Sequence, residues 1–142
     1  MIVQGTCDSF RTGLLTGVHV FGTDTIKVAL YQNASASLIP TTTSSYTSTG
    51  ELVSTGYTAG GQALSGVTVN LANGVGYITW NAPTWTLPLI PGVDGALIYN
   101  SSKANAAICI LNFGVSRYPI AGGVFSLANP YDPINNAIIR LA

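Results

Sequence analysis

Charge is what this chain has least of. Lys and Arg together number 5 and Asp and Glu 5, so that 7% of its 142 residues are charged and the formal net charge is zero, where an ordinary soluble domain carries about 25%. That scarcity excludes nucleic acid as the main ligand. Displacing counterions from phosphates takes clustered cations, and Arg11, Lys27, Lys103, Arg117 and Arg140 stand singly. Long hydrophobic runs are missing too. The stretches 106–111 and 138–139 fall far short of the ~18 residues that cross a bilayer as a helix, so no membrane helix is expected. Residues 1 to 20 hold no basic segment ahead of an apolar one, and Asp8, Arg11 and His19 interrupt what hydrophobicity there is. Without that signal pattern, synthesis and assembly in a cytoplasm are expected.

The groups that do chemistry are as sparse. There is 1 His, and the nearest pair of acids, Asp8 and Asp24, lies sixteen positions apart, so no acid/base pair is visible. A triad of Cys109 or a serine with His19 and an acid stays open, because distance along the chain does not forbid proximity in space. His19 nevertheless stands between Val18 and Val20, and Cys109 between Ile108 and Ile110. They read as a packing histidine and a buried thiol. Cys7 and Cys109 share no short metal or redox spacing, and no disulfide is expected. The triplets Asn33-Ala34-Ser35 and Asn100-Ser101-Ser102 are chance glycosylation matches in the absence of a signal peptide. Ala59-Gly60-Gly61 and Gly122-Gly123 do not extend to a phosphate-binding loop and read as turns or bulges. Asp132 with Asn129, Asn135 and Asn136 offers calcium only one carboxylate, in a loop constrained by Pro130 and Pro133. Trp80 and Trp85, with Tyr77 and Tyr99, suit a sugar-stacking platform less well than a small β-core. No catalytic residue, metal ligand or cofactor is therefore assigned, and the chain is read as non-enzymatic.

What is present is the pattern of a small all-β protein. The length suits one domain over residues 1–142 with one core. Asp8 or Ser9 can cap a short helix over residues 8 to 16, with Phe10 and Leu14 on one face and Gly17 as its stop. From Thr25 the period becomes two, Ile26, Val28 and Leu30 pointing one way and Lys27, Ala29 and Tyr31 the other. Residues 33 to 50, rich in Ser and Thr, read as a long surface loop and a candidate contact loop. Val67, Val69 and Leu71 alternate, Ala72-Asn73-Gly74 turns the chain, and 75–80 returns as a hairpin. Further strands are expected at 85–87, 96–99, 106–113, 123–127 and 137–141, separated by Pro88, Pro91, the Asn100-Ser101-Ser102 turn, Pro119 and 130–133. The apolar run 106–111 suits a central strand covered on both faces. About eight antiparallel strands in a sandwich result.

A surface kept wet by uncharged residues such as Thr41, Thr42, Thr43, Ser44 and Ser45, with no net charge to hold copies apart, suits a protein bound within an assembly. Several segments carry a resemblance in the same direction: Cys7-Asp8-Ser9-Phe10, residues 24–31, Gly56-Tyr57-Thr58-Ala59-Gly60-Gly61, Gly95-Ala96-Leu97-Ile98-Tyr99-Asn100 and Ile110-Leu111-Asn112-Phe113-Gly114. In this order, over nearly the whole chain, they resemble small virion structural proteins of tailed bacteriophages, among them the capsid cement (decoration) proteins of short-tailed phages. The resemblance implies a jelly-roll sandwich on the outer surface of a capsid, bound to the major capsid protein and self-associated, a dimer before a trimer, with no catalytic residues. The expected assembly contacts are Phe10, Leu14, Thr41, Thr42, Thr43 and Tyr46. A tail- or fibre-associated protein that binds host surface carbohydrate is the alternative, and a small hydrolase a further one.

Overall fold

The unbroken apolar run 106–111 and the alternating segment 26–31 end up in one sheet, and the Asn73-Gly74 hairpin in another. The computed structural model describes residues 1–88, 92–120, 123–129 and 133–142. The expectations that fall on Pro91, Gly122, Pro130 and Asp132 lie outside the described residues. Along the chain come β1 (Gly5–Thr6), α1 (Asp8–Leu15), β2 (Ile26–Tyr31), β3 (Gln62–Ala63), β4 (Thr68–Ala72), β5 (Val75–Thr79), β6 (Thr84–Thr86), β7 (Val93–Asn100), β8 (Ala106–Arg117), β9 (Val124–Ser126), α2 (Pro133–Asn136) and β10 (Arg140–Leu141). The class is all-β. Its three antiparallel sheets have the orders β1-β8-β7-β2-β3, β10-β5-β4 and β6-β9.

The middle of the five-stranded sheet is buried on both faces. Every residue from Val28 to Tyr31 and from Gly95 to Asn100 is buried, as are Ala107, Ile108, Cys109 and Ile110. Consecutive strand residues point to opposite faces, and Tyr99 and Asn100 show what covers each. Tyr46 stacks on Tyr99 with ring centroids 4.9 Å apart, so the 33–50 loop lies over one face. Asn100 reaches His19, whose ring sits 4.9 Å from Phe10, so α1 and the chain after it lie over the other. Burying a side chain such as Leu30, Leu97 or Ile108 contributes about 2 kcal/mol each.

Four local expectations are corrected. The N-cap of α1 is Cys7, with no side-chain cap bond. Asp8 instead lies in the first turn, where a carboxylate favours the helix dipole. Residues 33–50 are not a free surface loop: Ala36 and Leu38 are buried, Leu38 bridges Ile2, and Ser45 bridges Ala106. These contacts are irregular, so no period announces them. At the C-terminus the expected strand 137–141 shrinks to Arg140–Leu141, because Pro133 opens a helical turn, the position where its missing N–H is harmless. The two-residue strands β1 and β3 add to the expected set because a pairing partner, not an alternation, defines them.

The hairpin forms as its turn residues dictate. Asn73 and Gly74 have φ of 52° and 78°, the positive pair of a type I′ turn, and close Ala72 against Val75. Trp85 of β6 faces Phe125 of β9 with ring centroids 6.1 Å apart.

Candidate functional site

His19 is held by packing and by an amide. Its ring lies by Phe10 and Phe21, and its Nδ1 is 3.1 Å from Asn100 Nδ2. The Ser102 amide donates to Asn100 Oδ1 at 3.0 Å and Asn100 Nδ2 donates to Asp24 Oδ2 at 2.7 Å. That fixes the orientation of the Asn100 amide, so Nδ1 of His19 accepts and the imidazole is neutral with its proton on Nε2. Burial holds the His19 pKa below its ordinary value of 6.5, against the opposing pull of Asp24. Asp24 is held below its ordinary 3.8, first by the Val20 amide and then by Asn100. Two pH windows follow. In the first, the unfolded chain takes up a proton near pH 6.5 that folded His19 refuses, so stability falls as pH drops from 7 through the folded pKa. In the second, Asp24 contributes stability above 3.8 that is lost as pH falls through its lower folded value. His19→Gln should flatten the slope between pH 7 and 5, measured by urea unfolding, and leave the acid loss below pH 4. An unchanged slope between pH 7 and 5 in the variant would show that His19 is not its source.

The other reactive candidates are equally enclosed. Cys7 and Cys109 are free and buried. Burial pushes the Cys7 thiol up to about 11 and raises that of Cys109 as well, which disfavours the nucleophilic thiolate. Among the described residues no three His, Cys, Asp or Glu side chains gather where a metal ion could be held, and no helix is long and apolar enough to cross a membrane. Of the calcium candidates, Asp132 lies outside the described residues, and Asn129 turns its amide to the Trp80 carbonyl. Trp80, Trp85 and Tyr99 are buried and present no face to a sugar.

One polar cluster escaped the sequence reading. Glu51 is buried and accepts from Tyr46 Oη at 2.5 Å, Tyr57 Oη at 2.6 Å and the Gly60 amide at 2.7 Å. Tyr57 Oη in turn accepts from the Leu30 amide at 2.9 Å, Tyr99 Oη donates to the Gly60 carbonyl at 2.7 Å, and Tyr31 Oη donates to the Thr47 carbonyl at 2.5 Å. Burial raises the pKa of all four phenols, which keeps them as donors. With three donors on its oxygens the Glu51 carboxylate fastens two loops to the sheet. The signal was there to be read: Glu51 is the one charge between Lys27 and Asp94.

The expected contact residues divide. Phe10 is buried, and Tyr46 is bound to Glu51 and stacked on Tyr99. Phe10 is covered within the fold and Tyr46 is half-buried: an apolar face shows that a residue wants cover, not what covers it. Thr43 closes its own turn, its Oγ1 accepting from the Ile39 amide at 2.9 Å. Thr41 and Thr42 are exposed beside the start of α1, whose Asp8 amide donates to the Pro40 carbonyl at 3.0 Å.

Leu14 opens onto the main apolar surface. By register, Val69 lies against Ile78, and Gly76 between Leu71 and Leu141, so one face of the β10-β5-β4 sheet is apolar while Thr68, Asn70 and Thr79 occupy the other. Phe10, Leu14, Phe21 and Ile139 meet that apolar face around a hollow of about 130 Å³. A cleft of about 330 Å³ continues past Leu15. Away from the helix the sheet face is open, with Leu71 79% and Val69 63% exposed, and at the end of α1 Leu15 is 89% exposed. Contiguous apolar surface of this kind marks interaction sites. A separate cleft of about 350 Å³ opens between Phe113, Tyr118 and Phe125 beside Arg117.

By architecture, then, this is an all-β protein of three antiparallel sheets with a partly uncovered apolar face on the smaller of the two larger sheets. Compared with known protein families, with curated proteins and with solved structures, the chain matches none.

Proposed function

We propose that the chain is a capsid cement (decoration) protein of a tailed bacteriophage, a non-enzymatic jelly-roll-like subunit that binds the major capsid protein on the outside of the shell. The observation that carries this reading is the uncharged surface bearing the Leu15, Val69 and Leu71 face, since interface cores are depleted in charge. The ordered resemblance to phage virion proteins supplies the address. A ligand that binds the closed lattice and not the opened one stabilises the closed form by mass action. A standard interface of ~1,600 Å² suffices for each copy, and fixed neighbouring sites add avidity.

Electron microscopy of the virion tests the reading: regular density over the whole shell is expected, and a few copies at the tail vertex would overturn it. The second reading, a tail or fibre protein that binds host carbohydrate, is favoured by the cleft that presents Tyr118 beside Arg117, and that low copy number is its outcome. For the loop, deletion of residues 41–48 is unsuitable, because the carbonyls of Ser44 and Thr47 and the Tyr46 hydroxyl hold the fold. The pair Thr41→Glu and Thr42→Glu changes only exposed side chains. It should lower shell occupancy about tenfold, the effect of ~1.4 kcal/mol, at unaltered melting temperature; full occupancy would remove the loop from the interface.

A further inference from the structure

Strand β4 is an open edge of its sheet. It pairs with β5 alone, and the register of the hairpin decides where its peptide groups point. The turn closes on Ala72 and Val75, so residues 68, 70 and 72 exchange hydrogen bonds with β5, and the N–H and C=O of Val69 and Leu71 point away from it. On β5 the same parity sends the Ile78 amide outward, where it donates to the Ile139 carbonyl at 3.1 Å. No described backbone group meets Val69 or Leu71 in that way.

Free edges in monomers are defended by lysine, proline, bulges or a covering segment. Among the described residues this one has none of these defences: residues 52 to 93 hold no charged side chain, the β4–β5 register is unbroken, and Val69 and Leu71 are themselves exposed. The edge is also self-complementary. Turned about a two-fold axis beside Asn70, a second β4 lies antiparallel to the first with Val69 opposite Leu71 of the other copy, and the four outward N–H and four outward C=O groups of the two copies all pair, forming four hydrogen bonds in two doubly bonded pairs. More simply, each Val69–Leu71 pair exchanges two bonds. The side chains of each pair share the apolar face, Asn70 meets its counterpart on the polar face, and no like charges are brought together.

We infer that this chain self-associates through β4, edge to edge about Asn70, joining two three-stranded sheets into one of six with a continuous apolar face. The interface is isologous, as a two-fold contact must be. It deepens the reading of the chain as an assembly subunit by naming its partner at this edge as a second copy, and it is tested on the free protein, so its failure leaves the capsid test standing and the reverse.

Sedimentation of the full chain at up to about 100 μM, a range that detects micromolar association, should show a dimer. Leu71→Lys places a charge on the joint and should yield a monomer. Val69→Pro should do the same, because it removes only an amide that points outward. Circular dichroism of each variant should match that of the parent. The register has its own readout. Asn70 opposite itself is a non-hydrogen-bonded pair, with Cα atoms about 4.5 Å apart and within disulfide reach. Asn70→Cys should therefore cross-link quantitatively on mild oxidation. Thr68→Cys should not, since its counterparts sit on the order of 14 Å apart. A monomer at every concentration, a dimer that survives both Leu71→Lys and Val69→Pro, or cross-linking by Thr68→Cys in place of Asn70→Cys would overturn the inference. Binding of a foreign extended peptide to a strictly monomeric chain would overturn it in favour of a different occupant.

Discussion

Glu51→Leu should remove a large share of the protein's stability. The substitution removes the common acceptor of Tyr46 Oη, Tyr57 Oη and the Gly60 amide and leaves a buried amide and two half-buried hydroxyls without it. A buried donor without a partner costs about 1–3 kcal/mol and a half-buried hydroxyl less, so a loss of about 3 kcal/mol is expected from a total that is typically ~5–15 kcal/mol. Glu51→Gln keeps the shape and one acceptor oxygen but turns an NH₂ toward groups that also donate, and about 2 kcal/mol is expected. The cause is separable from mere loss of packing. In the double variant Glu51→Leu, Tyr46→Phe one of the stranded donors is gone, so urea unfolding should show a combined loss smaller than the sum of the single ones. A cost under ~1 kcal/mol for Glu51→Leu would show that the cluster does not hold the loops.

Gly61→Ala should be comparably damaging, for a reason that involves no lost contact. Gly61 has φ +67°, and a Cβ there would lie 1.8 Å from the Val28 carbonyl oxygen and 2.6 Å from its carbon. Both are backbone atoms of β2, so no side chain can swing aside. Left-handed backbone alone costs an alanine roughly 1–2 kcal/mol, and the overlap should bring the total to at least ~3 kcal/mol, among the larger single-residue effects. For a domain of this size that corresponds to a fall in melting temperature of roughly 10 °C. Gly114→Ala is the internal control: its φ is +75° but nothing lies within 4 Å of the added carbon, so the backbone penalty alone, about 1 kcal/mol, should appear. Equal losses at the two positions would show that the close approach to β2 is not what demands glycine at 61.

These two positions also mark where the sequence stops being legible. The hairpin at Asn73 and Gly74, helix α1 and the doubly buried β8 are local facts: turn chemistry, a four-residue spacing and an apolar run each declare themselves within a dozen residues. Gly61 does not, and Glu51 stands out as a lone charge without naming its partners, because what makes both matter is two loops folded back over a sheet. The contact residues show the same divide. Phe10 and Leu14 share a helix face, and the spacing that pairs them says nothing about which goes under cover; the structure buries Phe10 and leaves Leu14 at the rim of the hollow. Tyr46, read as part of a polar contact loop, turns inward because its hydroxyl finds a carboxylate there. Leu38 is buried through a bridge to Ile2, a pairing between segments that share no period.

The order of the strands in the main sheet bears on how the chain comes to be folded at all. Ile26 of β2 must find Asn100 of β7, seventy-four positions along, and Thr6 must find Cys109. Pairings so distant in sequence make for slow folding, on the order of milliseconds to seconds. The β4–β5 hairpin lies wholly inside the gap, and an isolated hairpin closes in about 1–10 μs. It should therefore flicker into shape long before the sheet beside it exists, presenting an uncharged strand edge to every other nascent copy. In a cell making this chain in bulk, concentration and temperature during synthesis would then govern the soluble yield more strongly than the stability of the finished fold.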